Sequence, residues 1–324
     1  MISIQEHISL APYTYFKVGG QARYFVEAKT EKEVLEVVQW ARDKHIPVVL
    51  LGAGSNVLVS DRGIDGLVIR PLLTEIVFRN DTMYVGAGVS MAKAATAALE
   101  HNISGFEWAV GIPGTIGGSV YGNAGCFGGE MKDAIECVRV LELKTEEDKI
   151  YEIENATCGF GYRESIFKKN KNMIILGATF KLKRISDEEK KEKRAWVQRM
   201  MQERVAEQAI GEHTAGSTFK GIMLNEKTIA MLRFHDSRFQ KPKESCWIFE
   251  NRAGRMSAGF LIERAGLKKK NVGGVSVSEK HANFFINDGT ATAENIIILI
   301  DIVKEYVHRK FGIFLEEEIQ YLGY

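Results

Sequence analysis

The chain has 324 residues, room for two or three domains at roughly 100–200 residues each. An apolar fraction of 45% and a charged fraction of 26% exclude a wholly disordered, collagenous or coiled-coil chain. With 43 Lys and Arg against 42 Asp and Glu, the net charge is +1, so no global field favours nucleic acid or an anionic membrane, although a local basic pocket stays open.

Residues 22–28 alternate like a strand, and Thr30 is placed to cap a helix to about residue 44 with Val34, Val38 and Ala41 on one face. Ile46-Pro47 ends it, and residues 48–51 read as a short buried strand before a turn at 52–56. Further strands are expected at 67–70, 83–85, 138–143, 149–153 and 173–183, with a helix over 91–101. Residues 186–207 mix acids and bases, which predicts a solvated helix rather than a basic binding helix. Trp196, Met200, Met201 and Val205 form its buried stripe. A domain boundary is expected near residue 184. The second part reads as a helix at 257–265, a turn-rich stretch at 266–274 and a strand at 281–287. A long helix over 292–310 turns Ile296, Leu299, Ile300, Val303 and Val307 inward, and Gly312 stops it before a last strand at 313–322.

The longest clean apolar run, 296–300, stops at Asp301, far short of the ~20 residues a membrane span needs. The amino-terminal stretch MISIQEHISL lacks the basic-then-apolar layout of a signal peptide. Cys126, Cys137, Cys158 and Cys246 form no CxxC pair, which fits a reducing cytoplasm. Histidines and cysteines show no zinc spacing, so no metal is expected.

Glycine clusters at 19–20, 52–54, 111–129, 159–161 and 273–274, a distribution suited either to one extended ligand or to plain turns. GAGSN at 52–56 follows a strand, and its small residues can expose amides to a diphosphate or simply make a turn. It is neither a P-loop nor a dinucleotide fingerprint. GIPGTIGG at 111–118 is more specific: Pro113-Gly114 turns the chain and Gly117-Gly118 lets another body lie on the backbone, with Thr115, Ser119 and Asn123 nearby. Arg163, among glycines and aromatics, can clamp a carboxylate or pair with Glu164. Ser217 follows Gly216 without a G-x-S-x-G elbow, so a hydrolase nucleophile is poorly supported and a proton-donating serine stays open. In LEEEI at 315–319, Glu316 and Glu318 share one strand face and Glu317 takes the other. His281 reads as a satisfied structural histidine or a ligand contact.

Taken in order, several pieces resemble the bacterial UDP-N-acetylenolpyruvoylglucosamine reductase family. They are TYFKVGG (14–20), GAGSNVL (52–58), GIPGTIGG (111–118), NAG (123–125), GYRESIF (161–167), AGSTFK (215–220), GFLIERAGL (259–267), VSEKHAN (277–283), and Leu315-Glu316 with Glu318. The resemblance implies an α/β (α+β) chain. A vanillyl-alcohol-oxidase/PCMH-type FAD-binding domain would occupy 1–184, in lobes of about 1–75 and 76–184. A smaller substrate-binding domain would follow at 185–324, and the strand at 313–322 could pack near the first domain. It implies noncovalent FAD held by Gly52, Ala53, Gly54, Ser55, Asn56, Val57, Gly111, Ile112, Pro113, Gly114, Thr115, Gly117, Gly118, Ser119, Asn123 and Ala124. NADPH is the implied hydride donor, and the implied substrate is a UDP-sugar enolpyruvyl ether, reduced to the lactyl ether for peptidoglycan synthesis.

By the same resemblance Arg163 stabilises the carboxylate on which charge builds, Glu318 donates from a protonated carboxyl, and Ser217 protonates the adjacent carbon. Tyr162, Lys220 and His281 are implied substrate contacts. A cytoplasmic monomer is expected, without nucleic-acid or membrane partners. The chain departs from the family pattern at Lys17, where Arg is common, and at Gly122, where Met is common. An insertion at about 221–256, carrying Trp247 and Phe249, is the largest departure. A flavin oxidase of the same fold on another substrate and a non-catalytic flavin- or nucleotide-binding protein are the rival readings.

Overall fold

The alternating apolar positions of QARYFVEA bury Ala22, Phe25, Val26 and Ala28 along the strand Gln21–Ala28. The computed structural model describes residues 2–143, 148–207, 209, 211–235 and 254–324. The strand sits in a four-stranded sheet in the order Gln5–Ser9, Gln21–Ala28, Ile64–Pro71, Val48–Leu50, in which the last two each run parallel to their neighbour. The helix Glu31–Asp43 starts where Thr30 Oγ1 accepts the Glu33 N–H at 3.1 Å, and it buries Val34, Val37, Val38 and Ala41. Residues 48–51 differ from the expectation of a buried strand. Val48–Leu50 is a sheet edge with Leu50 exposed, and only Leu51 beyond it is buried.

A second sheet of five strands runs in the order Lys149–Glu154, Ile135–Glu142, Met173–Lys181, Thr82–Gly86, Ile76–Arg79 and is antiparallel throughout. Ile76–Arg79 was not anticipated: it is short and half-buried, and it exists by pairing as a hairpin across Asn80, which adopts φ 53°. The strand expected to reach residue 183 stops at Lys181, and Lys183–Arg184 pairs separately with Ile103–Ser104. Val26, Leu67 and Ile69 of the first sheet share one core with Val85, Val138, Val140, Leu176 and Phe180 of the second. Each such fully buried side chain contributes about 1.5–3 kcal/mol of gross stabilisation.

Two compact units result. One comprises Met1–Ile8, Ala22–Gly54 and Ile64–Arg204; the other comprises Ser9–Gln21, Ser55–Gly63 and Val205–Tyr324. A single cut near residue 184 therefore does not describe how the chain is divided. Residues 9–21 and 55–63 group with the later chain because Phe16, Val18 and Leu58 lie in its core. The long charged helix Asp187–Glu207 buries Met200 and half-buries Trp196 and Met201. Val205 is 53% exposed, so the stripe ends a turn earlier than its spacing suggests.

In the second unit the helix Ala293–Phe311 buries Ile296, Leu299, Ile300, Val303 and Val307. Thr292 and Asn295 form a capping box, and the Asp61 carboxylate accepts the Ala293 and Glu294 N–H groups at 2.9 and 3.1 Å. Gly312, at φ 69°, ends the helix. Residues 281–287 are strand only over Phe285–Asn287; before it, Phe284 N–H turns back to His281 O. Only Gln320–Leu322 of the expected final strand is regular, pairing in parallel with Val57–Val59. Residues 313–319 instead make an isolated bridge, Phe219 to Glu317, which lets Glu317 and Glu318 both sit half-buried while Glu316 is exposed. Within the insertion, Ile222–Met223 pairs with Arg255–Met256 and Glu226–His235 is helical, while Cys246, Trp247 and Phe249 lie outside the described residues. No helix of the described residues is long and apolar enough to cross a membrane.

Candidate active site

Two glycine-rich segments of the first unit lie against each other. A Cβ on Gly52 would stand 2.8 Å from Thr115 Oγ1, so any larger residue here would have to displace the Thr115 hydroxyl. Thr115 caps Ile116–Tyr121, its hydroxyl accepting the Gly118 N–H at 3.4 Å. Ile116 and Gly117 N–H donate to Val89 and Ala87 carbonyls at 2.9 Å each, and Met91 N–H donates to Gly114 O at 3.1 Å. These bonds fasten the segment from one side. Among the described residues no protein acceptor takes the N–H of Ala53, Gly54, Gly114 or Thr115. An added Cβ on Gly118 would meet only Thr115 Oγ1, at 3.6 Å. Open amides beside small residues and hydroxyls fit the diphosphate of a dinucleotide such as FAD. Ser55, Asn56 and Val57 fall in the second unit, where Asn56 Nδ2 donates to Glu318 O at 3.1 Å and Val57 pairs with Gln320.

Arg163 is held on a tight turn, also in the first unit. Gly161 and Glu164 exchange backbone hydrogen bonds of 3.0 and 3.2 Å around Tyr162 and Arg163, and Arg163 adopts φ 58°. The Gly161 carbonyl accepts Asn123 Nδ2 at 2.9 Å, Lys168 Nζ donates to Arg163 O at 2.8 Å, and buried Ser165 donates from Oγ to Tyr121 O at 2.7 Å. The Arg163 guanidinium lies 5.2 Å from the Tyr162 ring centroid. Asn123 is itself buried at φ 42°: its Nδ2 also donates to Glu130 at 2.9 Å, and its Oδ1 accepts the Lys132 N–H at 3.0 Å. Its side chain therefore serves the Arg163 turn. Ser119 is buried, and its carbonyl accepts the Ala124 N–H at 2.8 Å.

The second unit brings Ser217 and Glu318 into one small network. Thr218 N–H donates to Asn283 O and Glu318 N–H donates to Thr218 O, both at 2.8 Å. Ser217 pairs with Phe284 and Phe219 with Glu317 in isolated antiparallel bridges. Ser217 and Glu318 are thus registered through Thr218. Lys220 Nζ lies 3.4 Å from exposed Glu316, and His281 Nδ1 accepts the Asn283 N–H at 3.3 Å with its ring 4.6 Å from Phe284. Sequence reasoning missed Asn283, Glu130 and Lys168. A polar residue set between Ala282 and the pair Phe284-Phe285, in HANFF, was the available signal for Asn283.

An open cleft of about 460 Å³ in the first unit is lined by Trp108, Phe127, Trp196, Lys193 and Arg199, among others, and by none of the residues expected to bind cofactor or substrate or to carry the chemistry. Among the described residues no group of three or more His, Cys, Asp or Glu is placed to hold a metal ion.

Residues 22–154 match a family model for an FAD binding domain, and residues 208–322 match one for the C-terminal domain of UDP-N-acetylenolpyruvoylglucosamine reductase. A Synechococcus sp. (strain JA-3-3Ab) protein named UDP-N-acetylenolpyruvoylglucosamine reductase is 36% identical over 322 residues, covering 99% of this chain and 91% of the relative. The chain belongs to the UDP-N-acetylenolpyruvoylglucosamine reductase family. A relative of the same name from Clostridioides difficile (strain 630) is 35% identical over 322 residues, with the same coverage. The crystal structure of UDP-N-acetylenolpyruvylglucosamine reductase from Thermus caldophilus superposes with a TM-score of 0.73 at 29% identity, covering 99% of this chain and 100% of that one. Membership of the reductase family carries the α+β fold class and FAD as cofactor.

Proposed function

We infer that this chain is an FAD-dependent oxidoreductase that uses NADPH to reduce the enolpyruvyl ether of UDP-N-acetyl-3-O-(1-carboxyvinyl)-glucosamine to UDP-N-acetylmuramate, a step of peptidoglycan precursor synthesis. The observation that carries this reading is the near-full-length match to the reductase family. The contact between the two glycine segments and the Ser217–Glu318 network support it.

Bound FAD would supply the redox chemistry that carries a hydride from NADPH to the terminal CH₂ carbon of the enolpyruvyl group. The backbone of residues 52–57, 111–115 and 117–119, with residues 123–124, would hold the cofactor noncovalently. Negative charge then builds on the conjugated carboxylate, and the planar fork of Arg163 meets it with two parallel donors. The carboxyl of Glu318 donates to that charge. Ser217 gives its hydroxyl proton to the carbon bearing the ether oxygen, completing the lactyl ether, and solvent returns a proton to the serine. Tyr162, Lys220 and His281 contact the substrate. The enzyme works as a cytoplasmic monomer.

Anaerobic spectroscopy tests the reading. The purified protein is yellow, NADPH bleaches the flavin, and the enolpyruvyl sugar nucleotide restores the colour. Absence of recolouring by that substrate would defeat the assignment.

A further inference from the structure

We propose that Asn283 is the positioning residue for Ser217, holding the donor's strand through both ends of its side-chain amide. The proposal rests on the reading of Ser217 as the proton donor.

Asn283 is 4% exposed and lies against Phe219, which is equally sheltered. Phe219 N–H donates to Asn283 Oδ1 at 3.0 Å, and Asn283 Nδ2 donates to Phe219 O at 2.8 Å. Its main chain adds a third bond, Thr218 N–H to Asn283 O at 2.8 Å. A side chain here imitates the peptide of a neighbouring strand and extends a ladder that the backbone offers at Ser217–Phe284 and His213–Asn287. Only an amide carries a donor and an acceptor so placed; a carboxylate carries two acceptors.

The opposite edge of the same stretch holds Glu318 and Glu316, through Glu318 N–H to Thr218 O and Lys220 N–H to Glu316 O, both at 2.8 Å. Asn283 therefore fixes Ser217 and, through Thr218, its register with Glu318. On the other side of Ser217 the backbone is next tied at the His213–Asn287 bridge, where Asn287 N–H donates to His213 O at 3.0 Å. Gly216 precedes it in the left-handed region at φ 74°, where an added Cβ would meet no atom within 4 Å. The hydroxyl's aim depends on the bonds that follow it in the chain, and misplacing a reacting group by about 1 Å costs on the order of a hundredfold in rate.

The test uses the FAD-loaded full chain and the two half-reactions separately. In Asn283→Asp, flavin reduction by NADPH stays within about twofold of wild type, while reoxidation by the enolpyruvyl substrate slows by about tenfold or more. The solvent deuterium isotope effect on reoxidation rises, because proton delivery becomes the slow event. Binding of the enolpyruvyl substrate to oxidised enzyme, read from the flavin spectrum, is unchanged. Amide exchange at 218–220 quickens, a readout independent of activity. Ser217→Ala is measured in parallel. Slow reoxidation in Ser217→Ala with wild-type reoxidation in Asn283→Asp overturns the positioning role alone. Wild-type reoxidation in Ser217→Ala removes the reading of Ser217 and the proposal with it. Loss of flavin together with equal slowing of both half-reactions in Asn283→Asp overturns the proposal in favour of a scaffolding role.

Discussion

Arg163 holds its left-handed backbone at a cost of about 1–2 kcal/mol, and such outliers persist where the surroundings over-determine them. Asn123, Lys168 and the paired Gly161 and Glu164 supply that determination. Lysine keeps the charge at this position but lacks the planar fork. Arg163→Lys is expected to lower turnover by about a hundredfold while NADPH still bleaches the flavin at the wild-type rate; stopped-flow traces of both steps decide it. Gly216→Ala isolates conformation from packing, since its new methyl group meets nothing. It should cost about 1 kcal/mol in urea unfolding, and a neutral result would show that the turn does not need its left-handed residue. Burial pushes the Cys158 thiol up to about 12 and the Tyr84 phenol up to about 12. The unfolded chain releases these protons first, near pH 9 and 10, so the folded state binds more protons between there and about pH 12. Stability must fall as pH rises through that window and be complete below it. Melting temperatures taken from about pH 8 to 11 should decline, and Cys158→Ala should flatten the decline.

Among the elements, those with a long apolar period were legible. Glu31–Asp43, Met91–Glu100 and Ala293–Phe311 follow their caps and stripes to within a residue or two. Leu299 lies in the middle of the last stripe and is fully buried, so Leu299→Ala should cost about 2–5 kcal/mol in denaturant unfolding; a shift below about 1 kcal/mol would mean that the helix repacks. Short pairings were not legible, because what makes them strands lies elsewhere in the chain. Ile76–Arg79 needs Thr82–Gly86, and Val48–Leu50 reads as buried until its place at a sheet edge is known. Residues 313–319 alternate like a strand, yet their partner is a single stretch at 218–220, so pairing stops after one bridge. The residues proposed to carry the chemistry stood out by type and order. The amides that hold them did not, since a buried asparagine looks the same in sequence whether it caps, turns or clamps.

At the scale of the molecule, two separate cores predict that unfolding is not a single two-state event. Val140 lies in one core and Leu299 in the other. Urea unfolding followed by tryptophan fluorescence and circular dichroism should resolve two transitions, with Val140→Ala moving one midpoint and Leu299→Ala the other. Coincident movement of one midpoint by both variants would refute this. The interleaved units also blur any reading of domains from sequence, because a linear cut cannot show that residues 9–21 and 55–63 group with residues 205–324.

That interleaving has a consequence for biosynthesis. Phe16, Val18 and Leu58 leave the ribosome early, yet the helix Ala293–Phe311 that shares their core and the strand Gln320–Leu322 that pairs with Val57–Val59 are made far later. At roughly 5–20 residues per second the nascent chain carries these apolar side chains uncovered for on the order of ten seconds or more. The second unit can close only once residues 320–322 have left the ribosome. Until then the unfinished polypeptide is a natural client for a holding chaperone.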